Sequence, residues 1–315
     1  MMGLSHAEPF SLSRRSMLKL LFGAGAWAVW GDVAAGGKTM SILKRAIPRS
    51  GERLPAVGLG TARTFDVGPD PNVRAPLKEV LKLFVERGGS VVDSSPMYGK
   101  AETVVGDLAA ELGVHKSLFL ATKVVTHGRK GGVRQMETSM RRMHSPRIDL
   151  IQVHNLVDWR TQLDNLRAWK EAGRIRYLGV THWRLGAFGR IEQIVKTEKL
   201  DFIEIPYSIV TRKAEERLLP AAVEHGTAMI AHTPFEVGDL FRGVRGKSLP
   251  SWAAEFDCQS WAQFFLKFIL SHPAVTCVIP ATTKAKHLVD NMQAGYGRLP
   301  DARTRRRMAE YIGRL

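Results

Sequence analysis

Eight short apolar runs, each followed by a stretch long enough for a helix, constrain this chain more than any other feature. They fall at residues 56–60, 90–93, 118–123, 148–154, 175–181, 202–206, 228–233 and 275–281. Strands buried on both faces read as continuous β-branched and aliphatic runs, and strand–helix alternation calls for a parallel sheet. Helical patterns separate the runs at 77–87, 101–112, 133–143, 162–172, 215–224 and 261–270, and several end on a glycine (Gly88, Gly113, Gly173) suited to a helix C-terminus. Eight such units over residues 41–315 predict an α/β chain folded as a (β/α)8 TIM barrel. The alternative, an open doubly wound sheet, ordinarily uses about five to seven strands.

Three segments lie outside the repeat. Residues 43–57 (LKRAIPRSGERLPAV) place a turn signal, Arg49-Ser50-Gly51, between two short apolar runs, which predicts a β-hairpin closing the barrel floor. The link from 234 to 260 is long for a compact domain and is expected to serve as a lid or binding loop. After the eighth unit, the basic run from Arg303 to Arg307 reads as the exposed face of a C-terminal extra helix.

Residues 1–40 are read as a separate segment. Arg14 and Arg15 directly precede the apolar stretch 20–30, which is too short to span a bilayer, and small residues follow at Val33 and Ala35. This is the pattern of a twin-arginine export signal cut near Ala35. It implies the twin-arginine machinery as a partner and a periplasmic or exported location, or a cytoplasmic one if the segment does not act as a signal. No other segment reaches the length of a membrane helix.

Composition narrows the partners. Forty-six Lys and Arg against thirty Asp and Glu give a net charge of +16, of which +14 lies on residues 41–315. That field attracts anions such as phosphorylated cofactors, but no nucleic-acid motif accompanies it. The two cysteines, Cys258 and Cys277, form no CxxC pair, and no His/Cys cluster has metal-ligand spacing. Gly58-Leu59-Gly60 lacks the third glycine of a dinucleotide fingerprint, and residues 243–248 lack the first glycine of a phosphate-binding loop.

Chemistry in such a barrel gathers at the C-terminal ends of the strands. Asp93 ends the second strand, Tyr98 follows in the loop Ser94-Ser95-Pro96-Met97-Tyr98-Gly99, Lys123 ends the third strand and His154 the fourth. Read singly, each has an ordinary structural role: helix cap, packed aromatic, solvated lysine, hydrogen-bonded core histidine. Together they make a coherent acid. A lysine ammonium beside a tyrosine favours the phenolate and lowers a pKa that is otherwise about 10. Asp93 supplies the counter-ion, and His154 orients a carbonyl. Reduction of that carbonyl needs a hydride that no side chain can give, so a nicotinamide cofactor is implied.

At these residues the chain resembles the aldo/keto reductase family. The resemblance rests on GLGT at the first strand, D-x-x-x-x-Y-G followed by AETVVG, the lysine ending the third strand and QVHN ending the fourth. It implies NADPH, or less often NADH, across the barrel mouth, a small-molecule carbonyl substrate, and Asp93, Tyr98, Lys123 and His154 as the catalytic tetrad. It also implies Thr181, His182 and Glu204 at the nicotinamide carboxamide, Tyr207 stacked on the nicotinamide ring, and Thr282, Lys284, His287 and Asn291 at the adenosine phosphate. Thr181 and His182 stand where the family usually has Ser-Asn, Glu204 where it has glutamine, and His287 where many members have arginine. A nucleotide-binding redox-sensing or structural protein with little turnover remains the alternative. Trp159, Trp183, Phe235, Phe241 and Trp252 are candidate substrate walls.

Overall fold

The computed structural model describes residues 41–315; the expected export signal lies outside the described residues. A hairpin comes first. β1 (Lys44–Ala46) and β2 (Arg53–Pro55) pair antiparallel, with Ala46 opposite Arg53, and Gly51 turns the chain at a φ of +75°. Eight parallel strands follow in sequence order: β3 (Leu59–Gly60), β4 (Val91–Asp93), β5 (Phe119–Val124), β6 (Ile148–His154), β7 (Ile175–Thr181), β8 (Phe202–Pro206), β9 (Ala228–His232) and β10 (Val275–Val278). Parallel bridges from Val57 to Val278 and from Gly60 to Ala281 bring the last strand back to the first. This is the expected (β/α)8 barrel with its N-terminal hairpin.

The helices are α1 (Pro71–Glu86), α2 (Ala101–Leu112), α3 (Arg129–Arg142), α4 (Trp159–Glu171), α5 (Phe188–Thr197), α6 (Leu218–Glu224), α7 (Asp239–Gly243), α8 (Trp261–Leu270), α9 (Ala285–Gln293) and the C-terminal α10 (Ala302–Ile312). Three begin earlier than the sequence pattern predicts, α4 by three residues and the other two by more. α1 starts at Pro71 rather than 77, because the Asp70 carboxylate accepts the Asn72 N–H and Pro71 needs no partner for its own nitrogen, so Pro76 is carried one turn inside. α3 starts at Arg129, since Gly132 lets the helix press against α4, where a Cβ would lie 2.0 Å from the Gln162 side-chain oxygen. The long link is not structureless: it holds α7 and 3-10 turns at Glu236–Gly238 and Ser251–Phe256.

Side chains alternate across a strand, so residues two apart share a face. Val91, Phe119, Ala121, Leu150, Tyr177, Phe202 and Ile230 form one buried cluster with Ile47 and Leu54 of the hairpin, which fills the barrel interior and plugs its floor. Their neighbours along each strand, such as Val92, Leu120, Ile151 and Ile203, join the larger core with the helices. Cys277 belongs to the interior cluster as a small buried residue, and both cysteines are free thiols. The basic run in α10 is not uniformly exposed. Arg305 turns inward, donates to the Phe268 carbonyl and pairs with Glu215 at 2.7 Å.

Candidate active site

Continuing the interior face of each strand by two residues reaches the mouth. Val91 leads to Asp93, Ala121 to Lys123, Leu150 to Gln152 and His154, Tyr177 through Gly179 to Thr181, Phe202 to Glu204, and Ile230 to His232. A layer of polar groups thus replaces the apolar filling at the C-terminal ends of the strands. The register sets neighbours side by side: Lys123 beside Gln152, His154 beside Thr181, Thr181 beside Glu204.

Lys123 is the hub. Its Nζ donates to both Asp93 carboxylate oxygens (2.7 and 2.6 Å) and to the Ser94 carbonyl (3.0 Å), and it lies 3.4 Å from Glu204 Oε1. The lysine side chain is 0% exposed and each carboxylate 3%. Burial opposes a charged lysine, but Asp93 and then Glu204 outweigh it and hold the ammonium protonated well above its ordinary range. Gln152 Nε2 donates to the other Glu204 oxygen at 2.5 Å. Burial raises the Glu204 carboxyl, yet Lys123 beside it prevails and holds it low. Asp93 moves the other way: burial, then the Glu204 charge, push its carboxyl well above the usual carboxylate range.

Tyr98 stands over this group, with its ring centroid 5.5 Å from Lys123 Nζ and edge-on to the His154 ring at 6.1 Å. Its loop is clamped by Gly99, at a φ of +57°, where a Cβ would lie 2.2 Å from the Asp66 carboxylate that accepts the Lys100 N–H. The sequence predicts a lowered tyrosine pKa, and the structure corrects this. Burial pushes the phenol up to about 12, and the attraction of Lys123 is further offset by Asp93 and Glu204.

His154 is held neutral. Burial, then the Lys123 charge, bring its pKa down to about 4. Its Nδ1 lies 3.0 Å from Ser95 Oγ, which also accepts the Met97 N–H. With the Ser95 hydroxyl donating, Nδ1 accepts, and the ring proton sits on Nε2, available to a carbonyl oxygen.

The remaining expected residues divide. Thr181 is buried at the mouth. His182 is partly buried and its Nδ1 accepts the Arg184 N–H at 3.0 Å, so neutral His182 carries its proton on Nε2; burial, then Arg184, keep it neutral. Thr282 and Asn291 are buried, and Lys284 and His287 are exposed, at the start of α9 where the Lys284 N–H bonds to Thr282 Oγ. Tyr207 is the exception. Three residues beyond Glu204, it points to the opposite face of the strand, and its ring is fully buried in the helix layer. There its hydroxyl donates to Glu215 at 2.7 Å, receives Arg305 and packs near His272. A ring in that place cannot stack on a nicotinamide. Trp252 is likewise corrected as a substrate wall, since it packs among Phe256, Phe264 and Tyr311. Trp183 and Phe241 are exposed, Phe241 packing on Phe235 and Phe265.

The motif reading assigns no role to four contributors, Ser94, Ser95, Gln152 and His232, although the first three stand inside the motifs. Parity from His154 points to Gln152, and the strand-end rule points to His232. His232 lies close enough to Glu204 and Lys123 for both charges to act on it. Among the described residues, no group of three or more His, Cys, Asp or Glu side chains is placed to hold a metal ion, and no helix is long and apolar enough to cross a membrane.

Comparisons with known proteins bear on the chain as a whole. The chain is similar to methylglyoxal reductase YeaE of Escherichia coli (strain K12), at 27% identity over 245 residues that cover 76% of this chain and 84% of the relative. Among solved structures it resembles an aldo-keto reductase from Klebsiella pneumoniae in complex with NADPH (TM-score 0.73) and the aldo-keto reductase AKR11C1 from Bacillus halodurans (TM-score 0.68). Each is 22% identical and aligns over 86% of this chain and 96% of the other, a likeness of fold. The sequence profile of the aldo/keto reductase family matches residues 56–306, and the chain belongs to that family.

Proposed function

We propose that this protein reduces an aldehyde or ketone to an alcohol with NADPH, Tyr98 acting as the general acid. The observation that carries the reading is the dry Asp93–Lys123 pair beside the half-buried Tyr98 and the neutral His154. The mouth fits a nicotinamide cofactor. His182 Nε2–H is a donor for its carboxamide. Asn155 Oδ1, buried with no hydrogen-bond partner among the described residues, is an acceptor for the carboxamide amine. Thr181 lies beside them. At the other end, Thr282, Asn291 and the cations Lys284 and Lys286 at the start of α9 suit a phosphate, with His287 close by; this favours NADPH over NADH.

The bound cofactor supplies the hydride. The chain supplies the rest. His154 Nε2–H holds and polarises the carbonyl oxygen, and Tyr98 gives it the phenolic proton. Lys123, kept charged by its carboxylates, favours the phenolate left behind. A second reading, nucleotide binding with little turnover, draws on the raised pKa of Tyr98 and on the carboxylate at position 204. Tyr98→Phe separates the two. NADPH binding, followed by fluorescence, should persist while reduction of an aromatic aldehyde falls by about a thousandfold. Equal turnover in the variant and the native protein would remove Tyr98 as the acid, and binding without turnover in either would support the second reading.

We further propose that residues 1–40 direct export by the twin-arginine route, on the strength of Arg14-Arg15 before the apolar stretch. Replacing both arginines with lysine should move the protein from the periplasmic to the cytoplasmic fraction. An unchanged distribution would sink this assignment.

A further inference from the structure

The mouth holds one carboxylate more than its chemistry requires. Lys123 is met by Asp93 through two short contacts and by Glu204 at 3.4 Å, and all three side chains are sealed from water. A buried ammonium between two ionised carboxylates leaves an uncompensated negative charge in a dry site, which burial strongly disfavours. No second cation among the described residues relieves it. From β6, His154 is neutral; from β9, His232 is held low in protonation by burial; from β10, burial pushes the Cys277 thiol up, so it stays uncharged. Tyr98, from the loop after β4, is a neutral phenol, and Gln152 contributes only a dipole.

We propose that Asp93 and Glu204 share one proton over Lys123 at neutral pH, and that Glu204 is thereby a positioning residue that sets the acidity of Tyr98 through Lys123. With the proton in place the three groups sum to zero, and the ammonium can favour the phenolate. Once it is lost, the added negative charge opposes phenolate formation and Tyr98 becomes a poorer acid. The raised carboxyl of Asp93 agrees with a proton retained by the pair, whose titration belongs to both groups together. The activity that Glu204 tunes is the carbonyl reduction proposed above, and that part of the inference rests on it. The shared proton does not.

The two parts are tested separately on the whole chain. Difference infrared spectroscopy of the free protein at neutral pH should show the carbonyl stretch of one protonated carboxylic acid, absent from Glu204→Gln and from Asp93→Asn. Native protein without that band overturns the shared proton whether or not the protein turns over. In the pH–rate profile for NADPH-dependent aldehyde reduction, the native enzyme should lose about tenfold as the pair gives up its proton on the alkaline side. Glu204→Gln, nearly isosteric and with matching circular dichroism, should lack that fall. Superimposable profiles overturn the tuning role. If neither protein reduces any carbonyl, the functional reading fails and the tuning role falls with it, while the infrared result still decides the proton.

Discussion

The barrel carries the same set of groups at both ends: one cation, two carboxylates and a tyrosine. At the floor, Arg176 donates to Asp149 at 2.8 Å and to Glu52, which also receives the Tyr177 hydroxyl at 2.5 Å. At the mouth stand Lys123, Asp93, Glu204 and Tyr98. Water separates their behaviour. Arg176 and Glu52 are each 31% exposed, against 0% for Lys123 and 3% for its carboxylates. At the floor, what little burial there is fails to hold the Glu52 carboxyl up, and Arg176 and Tyr177 bring it below its ordinary value. In the dry mouth, burial and then the Glu204 charge raise the Asp93 carboxyl, while Lys123 still holds Glu204 low. The planar guanidinium also reaches two partners in a fixed fork, whereas the ammonium is a compact charge that its surroundings can tune. The same classes of group therefore make a fastening at one end and a reactive centre at the other.

The sharpest way to break this comparison is to remove each cation. Lys123→Met should abolish turnover by about a thousandfold and lower stability by about 3 kcal/mol, because it strands buried carboxyls. Arg176→Met should cost under about 1 kcal/mol and leave kcat/KM unchanged. Urea unfolding and aldehyde reduction measured on both variants decide it, and equal losses would erase the distinction. A smaller effect tests the mouth alone. Ser95→Ala removes the hydroxyl that bonds His154 Nδ1, so kcat/KM should drop about tenfold while the melting temperature falls by only a few degrees. A fall in melting temperature matching the loss of activity would make Ser95 merely structural.

The smallest effect is on stability against pH, and its sign differs between the ends. Glu52, lowered on folding, stabilises above its unfolded pKa of about 4.3, and that contribution is lost as acid protonates the folded carboxyl. Asp93, raised on folding, does the reverse: its penalty grows as pH rises above about 4 and acid relieves it. Melting curves between roughly pH 3 and pH 8 should show Glu52→Gln flattening the acid-side loss by a few tenths of a kcal/mol. A steeper acid-side loss in that variant would contradict the floor's assignment.

Much of the barrel is legible in the sequence because its strands are buried on both faces and announce themselves as apolar runs. Asp93, Lys123 and His154 are legible for a related reason: each is a polar group at the end of such a run. Tyr207 misleads, since matching it to a family position ignores the parity that turns it away from Glu204 and toward Arg305. Gln152 stands in the QVHN motif, but only its place two back from His154 shows that it shares the face of the histidine. The acidity of Tyr98 is not legible at all. It depends on how completely the mouth is sealed and on Glu204 reaching Lys123, both properties of the folded interior rather than of local pattern.

The hairpin at the floor has a further consequence for traffic. With Ile47 and Leu54 seated against Phe119, Tyr177 and Phe202, the described residues pack the barrel solid beneath its polar layer. A reactant, a departing product and every proton replaced after a turnover therefore meet that layer from the mouth side, and whatever lies across the mouth decides the order in which they pass.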